Sequence, residues 1–177
     1  MIDGLELLIE TIITGNVVLI HGLGLYALTR YTKSMRTAAK AGLNTVVGML
    51  LGALILWLLG DIVPTSPTSQ IGFYVLVGFV AAAAAPRLTR SDVSPEYHVV
   101  DTALIGLLLI MATRAMAGAE ILWFALGSGL GYFIVLMVMA TLRQRFELAP
   151  IPKAFQGIPI VLITAGILGI ALLGFWL

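Results

Sequence analysis

Cysteine is absent from this sequence, and charged residues are scarce. None of the 177 residues is Cys, and 11% are Asp, Glu, Lys or Arg, whereas an ordinary soluble domain has about 25%. Without cysteine, the chain itself provides no disulfide bond, no thiolate nucleophile and no cysteine ligand for zinc or an iron–sulfur cluster. With so few charges it cannot cover a water-facing surface, so a soluble globular enzyme is excluded.

An excess of charge of one sign is also missing. Ten basic residues face nine acidic ones, which leaves a formal net charge of +1. This balance argues against a nucleic-acid partner, which requires a basic stripe. The sequence also lacks a phosphate-binding glycine loop, an HExxH pair and a recognisable Ser/His/Asp set. Nothing in it indicates a stand-alone hydrolytic enzyme.

Apolar residues, in contrast, are abundant: they make up 60% of the chain, with a mean hydropathy of +1.06. Because one membrane-spanning helix needs about 20 apolar residues, the chain predicts a single all-α integral membrane domain over residues 1–177 with six spans. The N-terminus lacks the basic region of a signal peptide, so we expect it to be retained as the first helix. The apolar runs cover 5–28, 43–63, 71–85, 99–117, 121–142 and 158–177.

The basic residues predict the orientation of these spans. The loops after the first, third and fifth runs lie on one side of the membrane and hold nine of the ten basic residues. Lys and Arg are retained on the cytoplasmic side, so both termini are predicted to face the periplasm. Six spans also divide into halves of three, about 1–93 and 94–177. Halves with an odd number of spans are oppositely oriented if they share a fold, which is the inverted repeat of many transport proteins.

The first run contains several polar residues, among them Glu10, Asn16 and His21, together with the glycines of Gly15-Asn and His-Gly-Leu-Gly24. Polar residues inside spans are costly and are candidates for function. One interpretation is a broken helix that lines a protected site. The other is that the glycines allow close packing while Asn16 and His21 hydrogen-bond to other helices. Both interpretations stay open at this point.

Arg114 lies near the outer end of the fourth run. A buried guanidinium needs a carboxylate or several carbonyl groups around it, so we expect Glu10 or Glu120 to be its partner. Structural pairing is favoured over a substrate site. The possible intramembrane polar site therefore consists of Glu10, Asn16, His21 and Arg114.

Two glycine pairs, Gly48/Gly52 and Gly127/Gly131, have the small-xxx-small spacing that lets helix backbones approach each other. This spacing is common in membrane helices. It predicts close packing without identifying the partner helix.

The segment 152–175, Pro-Lys-Ala-Phe-Gln-Gly-Ile-Pro-Ile-Val-Leu-Ile-Thr-Ala-Gly-Ile-Leu-Gly-Ile-Ala-Leu-Leu-Gly-Phe, resembles the closing segment of the Rnf/Nqr family of membrane subunits. The family comprises the A and E subunits of the Rnf electron transport complex and the D and E subunits of the sodium-pumping NADH:quinone reductase. The resemblance extends along essentially the whole chain. Its other parts are Asn16-Val-Val-Leu, Leu23-Gly-Leu, Ser94-Pro, Leu126-Gly-Ser-Gly-Leu-Gly and Arg143-Gln-Arg.

The resemblance implies a six-helix, 3+3 inverted repeat in the bacterial inner membrane, with broken helices in spans one and four. It also implies an oppositely oriented paralogue as partner, with other membrane subunits around the pair. In the family the pair holds a [2Fe–2S] cluster near the middle of the bilayer, and each subunit contributes two cysteines. The predicted orientation is similar to that of the Rnf A and Nqr E subunits.

The chain departs from the family at the cluster positions. The first cysteine position falls on Tyr26, and the second falls within Ala112, Thr113 and Arg114. None of these side chains is a conventional iron–sulfur ligand. We therefore expect no cofactor to be ligated by this chain.

These features predict a small membrane subunit of an electron-transport or ion-translocating complex, with a structural or ion-path role. The alternative is a stand-alone transporter or channel with a path between inverted halves, lined by the polar residues of the first run and Arg114. An enzyme that binds a hydrophobic cofactor such as a quinone or flavin ranks last, because only scattered aromatic residues favour it.

Overall fold

The computed structural model describes residues 4–64, 66–89 and 102–174. All secondary structure in these ranges is helical, as the composition predicts. Two short 3₁₀ turns, Gly60–Ile62 and Lys153–Phe155, accompany the α-helices. The α-helices are α1 (Gly4–Ile12), α2 (Leu25–Tyr31), α3 (Met35–Leu58), α4 (Pro67–Thr89), α5 (Thr102–Thr113), α6 (Glu120–Glu147) and α7 (Ile158–Leu173).

The first apolar run forms two helices instead of one. Residues 13–24, called the break from here on, separate α1 from α2 and contain only turns and irregular backbone. Of the two interpretations of this run, the structure agrees with the broken helix.

The remaining runs correspond to helices whose bounds differ from the apolar segments. α3 begins eight residues before position 43, and α4 continues beyond Pro86 to Thr89. Helices α3, α4 and α6 are long and apolar enough to cross a membrane, whereas α5 and α7 are shorter apolar helices. Residues 99–101 of the fourth run and 175–177 of the sixth lie outside the described residues. The chain is thus an all-α protein with membrane-spanning helices.

The core is built on α6, which packs along α3 through glycines of both helices. A Cβ atom at Gly42 would lie 2.8 Å from the ring of Phe133, and one at Gly129 would lie 3.3 Å from Val46. Side chains longer than hydrogen would force the two backbones apart. Tyr132 and Met139 of α6 are fully buried.

Side chains of α5 pack on the Gly48/Gly52 pair of α3. A Cβ at Gly48 would lie 2.5 Å from Leu104, and one at Gly52 would lie 3.1 Å from Leu108. Ala85 and Ala81 of α4 lie 3.5 and 3.6 Å from the same two Cβ positions. The prediction of close packing at this pair is confirmed, and the partner helices are α5 and α4.

α7 is the helix with the least buried surface relative to its length. Its buried positions are Val161, Ala165 and Gly169, which share one face at a spacing of four residues. Large apolar side chains such as Ile167 and Ile170 are exposed on its other faces, as suits a helix in contact with lipid.

Candidate functional site

Asn16 holds the break together with its side-chain amide. The residue is only 1% exposed. Its Nδ2 donates to the carbonyl of Ile12 at 3.0 Å, and its Oδ1 accepts from the amides of Val18 at 3.0 Å and Leu19 at 3.2 Å. One side chain therefore satisfies the last carbonyl of α1 and the first amides of the following turn, which would otherwise be unpaired in an apolar environment.

Both ends of the break have local causes in the sequence. At its start, the amide of Gly15 donates to the carbonyl of Glu10 at 2.7 Å, a bond across five residues that widens the last turn of α1. At its end, Gly22 and Gly24 have φ values of +67° and +79°, a left-handed conformation that glycine adopts without steric cost. The amide of Gly24 then donates to Oγ1 of Thr102 at 3.2 Å, which ties the break to the first residue of α5.

α6 provides a flat surface for α1 and Asn16. A Cβ at Gly127 would overlap Oγ1 of Thr11 and lie 3.0 Å from the carbonyl of Leu8. A Cβ at Gly131 would lie 2.9 Å from Nδ2 of Asn16. The second predicted glycine pair thus packs against α1 and the break, and any larger residue there would displace Asn16.

α7 covers the opposite side of the break. A Cβ at Gly169 would lie 2.8 Å from the carbonyl oxygen of Leu19, so the backbones of α7 and the break are in direct contact. Irregular backbone at membrane depth is tolerated where protein buries it. Here α6 and α7 bury it between them.

His21 and Arg114 are brought together at the surface of the break. Both side chains are exposed, and Arg114 lies within electrostatic reach of His21. The guanidinium of Arg114 lies over the ring of Phe124, with its carbon 5.4 Å from the ring centroid. The two basic side chains thus form one exposed polar patch, which we call the His21/Arg114 patch.

The partner expected for Arg114 differs from the one observed. Within the described residues, neither Glu10 nor Glu120 forms an ion pair with Arg114. The face of an aromatic ring attracts a cation through its quadrupole, and Phe124 takes this role. Glu10 instead lines a separate shallow groove of about 460 Å³ on α1.

The positions that match the family's cluster ligands carry no thiolate. Tyr26 is half-exposed at the start of α2. The hydroxyl of Thr113 donates to the carbonyl of Ile110 in its own helix at 2.9 Å, and the carbonyl of Ala112 accepts from a backbone amide. No group of three or more His, Asp or Glu that could hold a metal is present in the described ranges. These donors do not fit an iron–sulfur cluster.

Two hydrogen bonds at this site are not predicted by any sequence pattern. One joins Gly24 to Thr102, and the other joins Arg143 to the C-terminal end of α2. Nη1 of Arg143 donates to the carbonyl of Thr29 at 2.9 Å and lies 3.2 Å from Oγ1 of Thr32. Arg143 therefore fixes the C-terminal turn of α2 to α6. In the sequence, this arginine is distinguished only by its charge and by its place in the family resemblance.

Comparison with known proteins places these features in a family. Residues 98–177 match the family described as "Rnf-Nqr subunit, membrane protein". Proteins named as the A subunit of the ion-translocating oxidoreductase complex are similar over nearly the whole length. The one from Azoarcus sp. is 29% identical over 99% of this chain and 97% of its own, and the one from Tolumonas auensis is 30% identical over the same shares. The one from Aromatoleum aromaticum is 31% identical over 95% of this chain and 93% of its own.

Proposed function

This chain belongs to the Rnf-Nqr family of membrane subunits, and we propose that it serves as a membrane subunit of an ion-translocating oxidoreductase complex, in the position that the A subunit occupies. The observation that carries this proposal is the length of the match with those relatives. It covers 99% of this chain and 97% of each relative. A chain with exposed apolar helices, no cysteine and no metal-ligating cluster among its described residues fits a subunit that works through its neighbours.

The role proposed within the complex is that of helix-packing partner or ion-path element. Since Tyr26, Ala112, Thr113 and Arg114 offer no thiolate, no redox step is assigned to this chain. The His21/Arg114 patch is the candidate contact with a neighbouring subunit, because exposed basic side chains at a broken helix need an acceptor or an anion opposite them. Asn16 has a positioning role, since its amide is fully engaged by the backbone of the break.

The topology proposed for the chain is six spans in a 3+3 inverted repeat in the inner membrane, with breaks in spans one and four and both termini on the periplasmic side. The break and the turn after α5 support this arrangement, as does the distribution of basic residues. Because the chain has no cysteine, single-cysteine variants need no other change. We expect an impermeant maleimide to label Ser66→Cys in cells with a permeable outer membrane, and Lys33→Cys only after lysis. The reverse pattern would invert the topology.

Partner subunits can be identified by purification of the tagged chain in mild detergent. We expect other membrane subunits to be recovered in stoichiometric amounts, among them an oppositely oriented paralogue. The same tag on an unrelated multi-pass protein of the host is the control. Recovery of the chain alone at every detergent strength would contradict the proposal.

A flux assay separates this function from a stand-alone transporter. The isolated chain in liposomes is expected to carry neither Na⁺ nor H⁺ under an imposed potential. A flux that disappears in the His21→Ala and Arg114→Ala variants would assign the ion path to this chain alone.

A further inference from the structure

A cavity of about 430 Å³ lies between the end of α3, the start of α4 and the turn that joins α5 to α6. It lies at the opposite end of α6 from Arg143 and is separate from the break. Every described residue that lines it is uncharged. Its larger side chains are Leu56, Trp57, Gln70, Tyr74, Met116 and Ile121.

Tyr74 is the unusual residue of this cavity. Its side chain is 4% exposed, and in the described part of the chain its hydroxyl has no hydrogen-bond partner. An edge-on contact with Phe73, with 6.4 Å between ring centroids, holds the ring. The ring is buried, but the hydroxyl oxygen keeps some accessible surface, and a tyrosine hydroxyl in such a place normally finds an acceptor. The cavity beside Tyr74 is the space in which an acceptor can lie.

Two further donors line the same cavity. The indole of Trp57 and the side-chain amide of Gln70 have no hydrogen-bond partner within the described ranges. A phenol, an indole and an amide share the ability to donate to a neutral oxygen. Since no described residue that lines the cavity carries a carboxylate or a cation, these donors suit an uncharged acceptor better than an ion.

The wall formed by the turn after α5 is fixed in shape. Ala115 has a φ of +48° and Gly118 has a φ of +63°, while buried Met116 points its backbone amide to the carbonyl of Met111 at 3.2 Å. The cavity is therefore already formed without a ligand, as small-molecule sites usually are.

We infer that this cavity binds an amphiphile that presents an uncharged carbonyl oxygen to the hydroxyl of Tyr74. The apolar body of the molecule packs against Leu56, Met116 and Ile121, and Trp57 offers a flat face to a ring or an acyl chain. Two sources supply this chemistry in a membrane, the ring of a quinone and the ester of a phospholipid. The inference concerns this chain alone and holds whether or not the chain acts in a complex.

The test uses the full chain in detergent with Trp123→Phe and Trp176→Phe, so that Trp57 is the only fluorescent indole. One arm titrates ubiquinone-1 against prenylbenzene, which lacks carbonyl groups. The other arm titrates dioleoylphosphatidylcholine against its diether analogue. We expect one carbonyl-bearing probe to change the intensity or wavelength of Trp57 emission with saturation, and its carbonyl-free analogue, measured by competition with that probe, to bind about 3–10-fold more weakly, which is the value of one hydrogen bond. The arm that binds identifies the source.

Tyr74→Phe removes only the hydroxyl and should weaken binding of the same probe by about 3–10-fold. Tyr26→Phe makes the same change at an exposed tyrosine outside the cavity and should leave binding unchanged. Equal affinities of the Tyr74→Phe variant and the parent, equal affinities of a probe and its carbonyl-free analogue, or no binding in either arm would each overturn the inference.

Two further measurements distinguish a loss of binding from a loss of folding. A Cβ at Gly60 meets no atom within 4 Å, so Gly60→Leu should reduce binding by occupying the cavity without lowering the Tm. In the absence of ligand, Tyr74→Phe should leave the Tm unchanged or raise it, because the lost hydroxyl has no partner in the described part of the protein. A lower Tm of the ligand-free Tyr74→Phe variant would show a protein partner for the hydroxyl and would contradict the inference.

Discussion

The break after α1 and the turn after α5 end their helices by different means. In the break, the side chain of Asn16 forms three hydrogen bonds to the backbone, and glycines take the left-handed positions. In the turn, residues 114–119, the hydrogen bonds that end the helix come from the backbone alone. The amide of Ala115 donates to Ala112 at 3.1 Å and that of Met116 to Met111 at 3.2 Å, the pattern of a Schellman motif.

The left-handed position of that motif usually belongs to glycine. Here it is occupied by Ala115, whose φ is +48°, and alanine is strained in this region. The break thus depends on one buried side chain and has no spare partner for it, whereas the turn tolerates a residue that fits poorly. The same kind of substitution should therefore harm the first region and improve the second.

The largest effect is expected from Asn16→Ala. This variant leaves one carbonyl and two amides unpaired in the break, which should lower the free energy of unfolding by about 3 kcal/mol. Thermal or denaturant unfolding in detergent measures it.

Ser128→Ala is the matched control, because Ser128 is fully buried and its hydroxyl has no hydrogen-bond partner in the residues that the structure describes. Removal of the Ser128 hydroxyl should leave the free energy of unfolding unchanged or slightly higher. Equal destabilisation by both variants would show that Asn16 contributes no more than any buried polar residue.

Gly127→Ala should follow, with a loss of about 2 kcal/mol from overpacking. The new methyl group would overlap Thr11 and press on the Leu8 carbonyl, which pushes α1 away from α6. Gly166→Ala adds the same group on α7, where no atom lies within 4 Å, and should be neutral or stabilising. A stable Gly127→Ala variant would mean that α1 can shift without loss of the break.

Thr102→Val tests the bond that connects the break to α5. It removes the acceptor of the Gly24 amide and should cost about 1 kcal/mol, with faster hydrogen exchange at the end of the break. Thr113→Val serves as control, since the Thr113 hydroxyl bonds only within α5. Unchanged exchange at Gly24 would show that the break holds itself without α5.

The smallest effect, and one of opposite sign, is expected from Ala115→Gly. It relieves the left-handed strain and should raise the free energy of unfolding by about 0.5–1 kcal/mol. Ala117→Gly makes the same change where φ is not positive and should bring no gain. A loss of stability with Ala115→Gly would mean that the Ala115 methyl group contributes packing that outweighs its strain.

The sequence offers the break as one of two interpretations of the first run, because its glycines and Asn16 are local signals and local backbone preferences act within a few residues. It does not predict what the break touches. The Gly24–Thr102 and Thr29–Arg143 bonds join residues 78 and 114 positions apart, and no spacing rule covers such distances. Arg114 shows a second limit: its charge predicts a partner, but whether a carboxylate or the face of Phe124 supplies it depends on packing.

The left-handed alanine of the turn shows a third limit. Ala115 carries no sequence signal for its conformation, since glycine or asparagine is the residue expected there. The glycine pairs represent the reverse case. Their spacing predicts close packing for Gly48/Gly52 and Gly127/Gly131. The structure adds that the first pair packs against α5 and α4 and the second against α1 and the break.

The contact between Gly169 and the carbonyl of Leu19 sets an order on the assembly of the protein. α7 follows every other described helix along the chain, so a ribosome completes it after α1 to α6 have emerged. Until then the carbonyl of Leu19 lacks the contact with α7. The break can therefore complete its packing only after α7 has been synthesised. Premature termination before residue 158 should leave the break exposed to quality-control proteases.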